Sequence, residues 1–119
     1  MGKKGKINGE RMEALGMQLL TDVYRLRNVQ WIGDVCDVYA QGRLIEIKSC
    51  QLRIKDGRST RKGHFMLNPV QDGTLKECGG CYLFIVHDKK QIVHHKLVSA
   101  WSVKYVNRIR WQDIENLEG

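Results

Sequence analysis

A chain of 119 residues has room for one hydrophobic core, so a single domain over residues 1–119 is expected. Its 42% hydrophobic and 28% charged residues exclude an intrinsically disordered chain, and no apolar run is long enough to cross a bilayer. A net charge of +7 points to a polyanion as partner, of which nucleic acid is the commonest, with simple solubility as the bland alternative.

The opening Met1-Gly2-Lys3-Lys4-Gly5-Lys6 has the charge of a signal peptide without its apolar stretch. Lys6 stands where a myristoylation signal wants Ser or Thr, so a cytoplasmic, nucleoid-associated location is expected. Asn8 reads as a helix N-cap with Glu10 in the first turn, where a carboxylate suits the helix dipole. Met12, Leu15, Leu19, Val23 and Leu26 recur at helical spacing and predict a helix over about 9–26, with Arg11, Glu13, Gln18, Asp22 and Arg25 on its other face. Three short strands follow at Val29–Ile32, Val35–Ala40 and Leu44–Ser49, the last two joined as a hairpin through Gln41-Gly42-Arg43.

Residues 52–64 are polar and basic, with Arg53, Lys55, Arg58, Arg61 and Lys62 opposed only by Asp56, and read as a loop or extended hairpin. Asn68-Pro69 starts a second helix that stops at Gly79-Gly80; Gly73 weakens its middle by roughly 1 kcal/mol relative to alanine. Cys81–His87 is an apolar strand, turned by Asp88-Lys89-Lys90 into Gln91–Lys96. Short helices follow Ser99 and Trp111, with Trp101, Val103, Val106, Ile109, Ile114 and Leu117 available for packing. Trp31, Trp101 and Trp111 are expected in the core rather than as stacking platforms. The order of elements predicts an α/β (α+β) domain with a central mixed sheet flanked by helices.

Cys78-Gly-Gly-Cys81 has the spacing of half a zinc knuckle or a redox pair, but Cys36 and Cys50 do not supply a second close pair. A helix stop followed by a strand start fits the spacing just as well and is the favoured of the two readings. His94 and His95 are adjacent on a strand, point to opposite faces and cannot chelate one metal together.

The chemistry concentrates on the hairpin. Glu46 and Lys48 are one residue apart on the third strand, so they share a face while Ile45 and Ile47 take the other. Opposite charges on an otherwise apolar strand are costly unless they pair or act. Asp37, on the preceding strand, comes within cross-strand distance of Glu46. Two facing carboxylates call for a cation, and hard oxygen ligands suit Mg2+ or Mn2+. A lysine beside that metal orients water or neutralises charge on phosphorus, which fits phosphodiester hydrolysis. Glu-x-Lys alone is a weak signal, because any amphipathic strand carries it as a solvated pair. Gln51 and Gln71 are lesser candidates for substrate contact.

The run from Gly33-Asp34-Val35-Cys36-Asp37 to Leu44-Ile45-Glu46-Ile47-Lys48-Ser49 resembles the PD-(D/E)xK nuclease superfamily. The opening Lys-Gly-Lys-Ile-Asn-Gly-Glu-Arg is similar to the archaeal Holliday-junction resolvases within it. The resemblance implies a restriction-endonuclease-like mixed sheet and a Mg2+-dependent DNA endonuclease acting as a homodimer. It further implies metal bound by Glu10, Asp37, Glu46 and the Ile47 carbonyl, and catalysis by Lys48. Cys36 stands where the family has proline, the Asp-to-Glu spacing is short, and Asp34 rivals Asp37 for the Asp position. DNA contacts are expected from Lys3, Lys4, Lys6, Arg11, Arg53, Lys55, Arg58, Arg61 and Lys62. A non-catalytic nucleic-acid-binding module on the same fold is the runner-up.

Overall fold

The computed structural model describes residues 2–33, 36–56, 59–89 and 91–117, with side chains for all of these except 2–10, 54–56 and 59–62. Helix α1 (Gly2–Asp22) is followed by strands β1 (Gln30–Trp31), β2 (Val38–Ala40), β3 (Arg43–Gln51), β4 (Arg53–Asp56), β5 (Ser59–Lys62) and β6 (His64–Met66). Helix α2 (Pro69–Glu77), strands β7 (Cys81–Asp88) and β8 (Gln91–Ser99), a 3-10 turn at Ala100–Ser102, strand β9 (Arg108–Arg110) and a second 3-10 turn at Trp111–Asn116 complete it.

The central sheet has the order β1-β2-β3-β7-β8. All its pairings are antiparallel except β3 with β7, so the sheet is mixed, as predicted. The parallel pair at its centre explains the apolar run of β7: seven successive residues, Cys81 to His87, are buried because both faces are covered. Each large apolar side chain fully withdrawn there contributes about 1.5–3 kcal/mol. Gln41 and Gly42 both have positive φ, 51° and 80°, the mirror-image turn whose twist joins β2 to β3 without splaying them.

One face of the sheet packs Ile45, Ile47, Leu83 and Ile85 against Met12 and Leu20 of α1. The other packs Tyr82, Phe84, Val86 and Val98 against Leu75 of α2 and against Val103, Ile109 and Ile114 of the tail. Alternation along β3 therefore sends Ile45 and Ile47 toward α1 and Glu46 and Lys48 toward α2.

The boundaries of α1 differ from those expected. The helix starts at Gly2 and runs through Asn8, which is not its N-cap; the lysines before it are good helix formers. It stops at Asp22 rather than Leu26, where the Tyr24 N–H closes on the Leu19 carbonyl at 3.0 Å and Arg25 turns the chain at φ 60°. Val23, beyond that end, is exposed. Two tryptophans expected in the core are outside it: Trp31 is 45% exposed on the two-residue edge strand β1, and Trp101 is 70% exposed, its indole N–H held by the Lys76 carbonyl at 3.0 Å. Trp111 is half-buried and donates to the Leu52 carbonyl. Strands β6 and β9 are additions to the expected order, pairing with each other so that Phe65 and Ile109 face the core.

The basic stretch forms a two-stranded ribbon, β4 paired with β5. Its base is fixed by the Leu52 N–H on the His87 carbonyl at 2.7 Å and the Gly63 N–H on the Leu52 carbonyl at 3.3 Å. A Cβ at Gly63 would lie 1.9 Å from the Gln51 carbonyl oxygen, so only glycine allows this approach.

Candidate active site

The β2–β3 register pairs Val38 with Ile45, which carries Asp37 opposite Glu46 one step further along. Asp37 lies in a bend just before β2 rather than inside the strand. It is anchored on every side. Its N–H donates to Glu46 Oε1 at 3.1 Å, its Oδ2 accepts the Ile47 N–H at 3.0 Å, and its carbonyl accepts the N–H groups of Ile32 and Gly33 at 2.8 and 3.2 Å. Each of the two carboxylates thus accepts a backbone N–H from beside the other, which locks both at the hairpin's open end.

Lys48 extends from the same face of β3. Its Nζ lies 3.1 Å from Glu46 Oε2 and donates to Gln71 Oε1 at 3.0 Å. Gln71 is in the first turn of α2, fixed by its own N–H on the Asn68 cap oxygen at 3.1 Å. Glu46 is 4% exposed. Burial and the Asp37 carboxylate push its carboxyl up to about 7, against the opposing pull of Lys48. A pair this deep contributes geometry more than stability, because desolvation offsets its attraction. Burial together with Glu46 and Asp37 also pushes the Cys36 thiol up to about 11, so it stays neutral beside them.

This donor set fits a small hard divalent cation. Two carboxylates converge, one is destabilised as an anion by the other, and a positive charge between them relieves both. The remaining predicted groups are placed as follows. Ile47 points its side chain into the α1 face and its N–H toward Asp37. Glu10 is in α1, which packs on the opposite face of the sheet from Lys48, and its side chain lies outside the described set, as do those of Lys3, Lys4 and Lys6. Asp34 and Arg58 lie outside the described residues. Arg11 and Arg53 are exposed; Lys55, Arg61 and Lys62 fall on the ribbon.

Gln51 ends β3 exposed, whereas Gln71, a lesser candidate in the sequence, touches Lys48. The cue for Gln71 was Asn68-Pro69, which fixes the helix phase, but nothing in the sequence says which strand that turn faces. Cys78 and Cys81 sit where a helix stop and a strand start put them: Cys78 is exposed at the end of α2, Gly79 turns at φ 65°, and Cys81 is buried at the start of β7. His94 and His95 do diverge, His94 approaching Glu115 at 3.6 Å and His95 meeting the Tyr24 hydroxyl at 2.8 Å.

A protein-family model described as PD-(D/E)XK nuclease superfamily domain matches residues 3–118. No curated protein and no solved structure matches the chain.

Proposed function

The chain belongs to the PD-(D/E)XK nuclease superfamily, and from that premise we propose that it is a Mg2+- or Mn2+-dependent endodeoxyribonuclease whose catalytic residues are Glu10, Asp37, Glu46 and Lys48. The observation that carries this reading is the buried Glu46, held against Asp37 by reciprocal backbone bonds with the Lys48 ammonium 3.1 Å away.

In this reading Asp37, Glu46, Glu10 and the Ile47 carbonyl hold the cation. The Ile47 carbonyl is supported by its N–H, since both groups of a strand residue leave on the same side and that N–H points to Asp37. Bound there, the metal supplies Lewis-acid activation of a phosphate oxygen and of water. Lys48 is kept beside the site by two acceptors, Glu46 and Gln71, and from there neutralises charge developing on the phosphoryl oxygens. Asp37, with one oxygen on the Ile47 N–H, keeps the other for the metal. The ribbon leaves β3 directly after the catalytic strand and brings basic residues to the flanking phosphates.

The substrate reading is a branched DNA such as a four-way junction, resolved by a homodimer, as the resemblance of the N-terminal segment implies. The first test is a panel of labelled junction, flap, single-strand and duplex DNA incubated with Mg2+ and with EDTA. Cleavage of branched substrates only with Mg2+ is expected. Binding without cleavage of any substrate would return the chain to a non-catalytic module.

A further inference from the structure

We propose that Asp72 and Tyr82 are positioning residues of this site, docking the first turn of α2 so that Gln71 holds the Lys48 ammonium beside Glu46. The inference rests on the reading of Lys48 as a catalytic group.

Asp72 is 4% exposed and Tyr82 is fully buried. The Tyr82 hydroxyl donates to Asp72 Oδ1 at 2.7 Å, and Lys76 Nζ meets Asp72 Oδ2 at 2.7 Å, so both carboxylate oxygens are engaged. A carboxylate only 4% exposed is costly to bury, and the helix start does not need it, since Asn68 already caps the Val70 and Gln71 N–H groups. Its one distinctive bond runs to the sheet. Tyr82 is the register partner of Glu46 across the β3–β7 ladder. The contacts therefore close a ring: from Glu46 to Lys48, from Lys48 to Gln71, along one peptide to Asp72, from Asp72 to Tyr82, and back across the ladder to Glu46. Gln71 and Asp72 are consecutive, so α2 is pinned to two adjacent strands by two consecutive residues. The turn cannot shift at Asp72 without withdrawing Gln71 from Lys48.

The test measures acylation of each lysine by an amine-reactive ester, read by mass spectrometry, in the full chain and in Tyr82→Phe, Asp72→Ala and Asp72→Asn. Circular dichroism establishes that each is folded, and the exposed Lys104 serves as internal reference. Lys48 labelling relative to Lys104 should rise about tenfold in Tyr82→Phe and Asp72→Ala, the smaller end of what losing a hydrogen bond to a charged group implies. Asp72→Asn, which keeps an acceptor for Tyr82, should stay within about threefold of the parent. In cleavage assays the first two should lose about tenfold to a hundredfold in kcat with KM within about twofold, as for a misplaced but present group. Unchanged Lys48 labelling in both folded variants would overturn the proposal. So would a uniform rise at all lysines, or an Asp72→Asn variant as impaired as Asp72→Ala. If Asp72→Ala does not fold, Tyr82→Phe decides. If the parent cleaves nothing, the nuclease reading fails, while the labelling still decides whether this clamp exists.

Discussion

Glu46 ties the site to pH in two ways. Its carboxyl is raised from an ordinary 4.5 to about 7, so the folded state binds its proton more tightly than the unfolded chain does. That contribution to stability is fully present below about 4.5 and is lost as pH rises through about 7. Glu46→Gln removes the buried anion. In EDTA at pH 8 it should stabilise the fold by about 1–3 kcal/mol, and at pH 4.5 by almost nothing, as measured by thermal unfolding. No gain at pH 8 would show that Glu46 is not strained as an anion. Activity runs the other way: cleavage should fall as pH drops through the Glu46 midpoint, and if Glu46 holds the metal as proposed, higher Mg2+ should move that midpoint down, because metal and proton would compete for one carboxylate. At this scale the sequence was legible where period-two alternation reports a face, as for Glu46 and Lys48. The contact of Gln71 with Lys48 and the Asp72–Tyr82 pair were not, because a contact across 23 residues, as from Lys48 to Gln71, depends on how a helix docks.

Among the elements, β3 does the most, carrying the site on one face, the α1 packing on the other and the basic ribbon at its end. Gly16 lets α1 lie close beneath it: an added Cβ would stand 3.0 Å from both Ile47 Cδ1 and Cγ2. Gly16→Leu should cost about 1–3 kcal/mol in urea unfolding by forcing helix and strand apart, and a variant as stable as the parent would refute that packing. Replacing Arg58, Arg61 and Lys62 of the basic stretch with alanine should weaken binding to all DNA sequences alike and flatten the salt dependence by roughly one unit per lost phosphate contact, with little change in stability. An unchanged slope would move the footprint to Lys3, Lys4, Lys6 and Arg11. The hairpin, α2 and β7 were readable because turn residues, a cap-proline pair and an unbroken apolar run mark them locally. Strands β6 and β9 are three residues each, too short for any period to register, and exist because the tail folds back. The exposed Trp31 and Trp101 show the same limit, since residue type does not say which aromatics a neighbour covers.

As a whole the molecule measures 45 × 26 × 25 Å, and its shortest dimension spans about seven base pairs of duplex at 3.4 Å each. One chain offers one Asp37–Glu46–Lys48 site, so cutting both strands of a junction needs two copies, and sedimentation with a four-way junction should report two chains of 13.8 kDa per complex. A single chain per junction would remove the dimer and leave the site untouched. The two-faced sheet serves the site directly: α1 supports β3 from behind while α2 brings Gln71 to Lys48 from the front. The most direct measurement of the central claim sets the parent beside Asp37→Asn and Glu46→Gln, with DNA binding and Mg2+-dependent cleavage recorded on the same substrates at saturating metal. Both variants should bind as the parent does, through phosphate contacts made elsewhere, and release no product. Cleavage at the parental rate by either variant would contradict the assignment of this site.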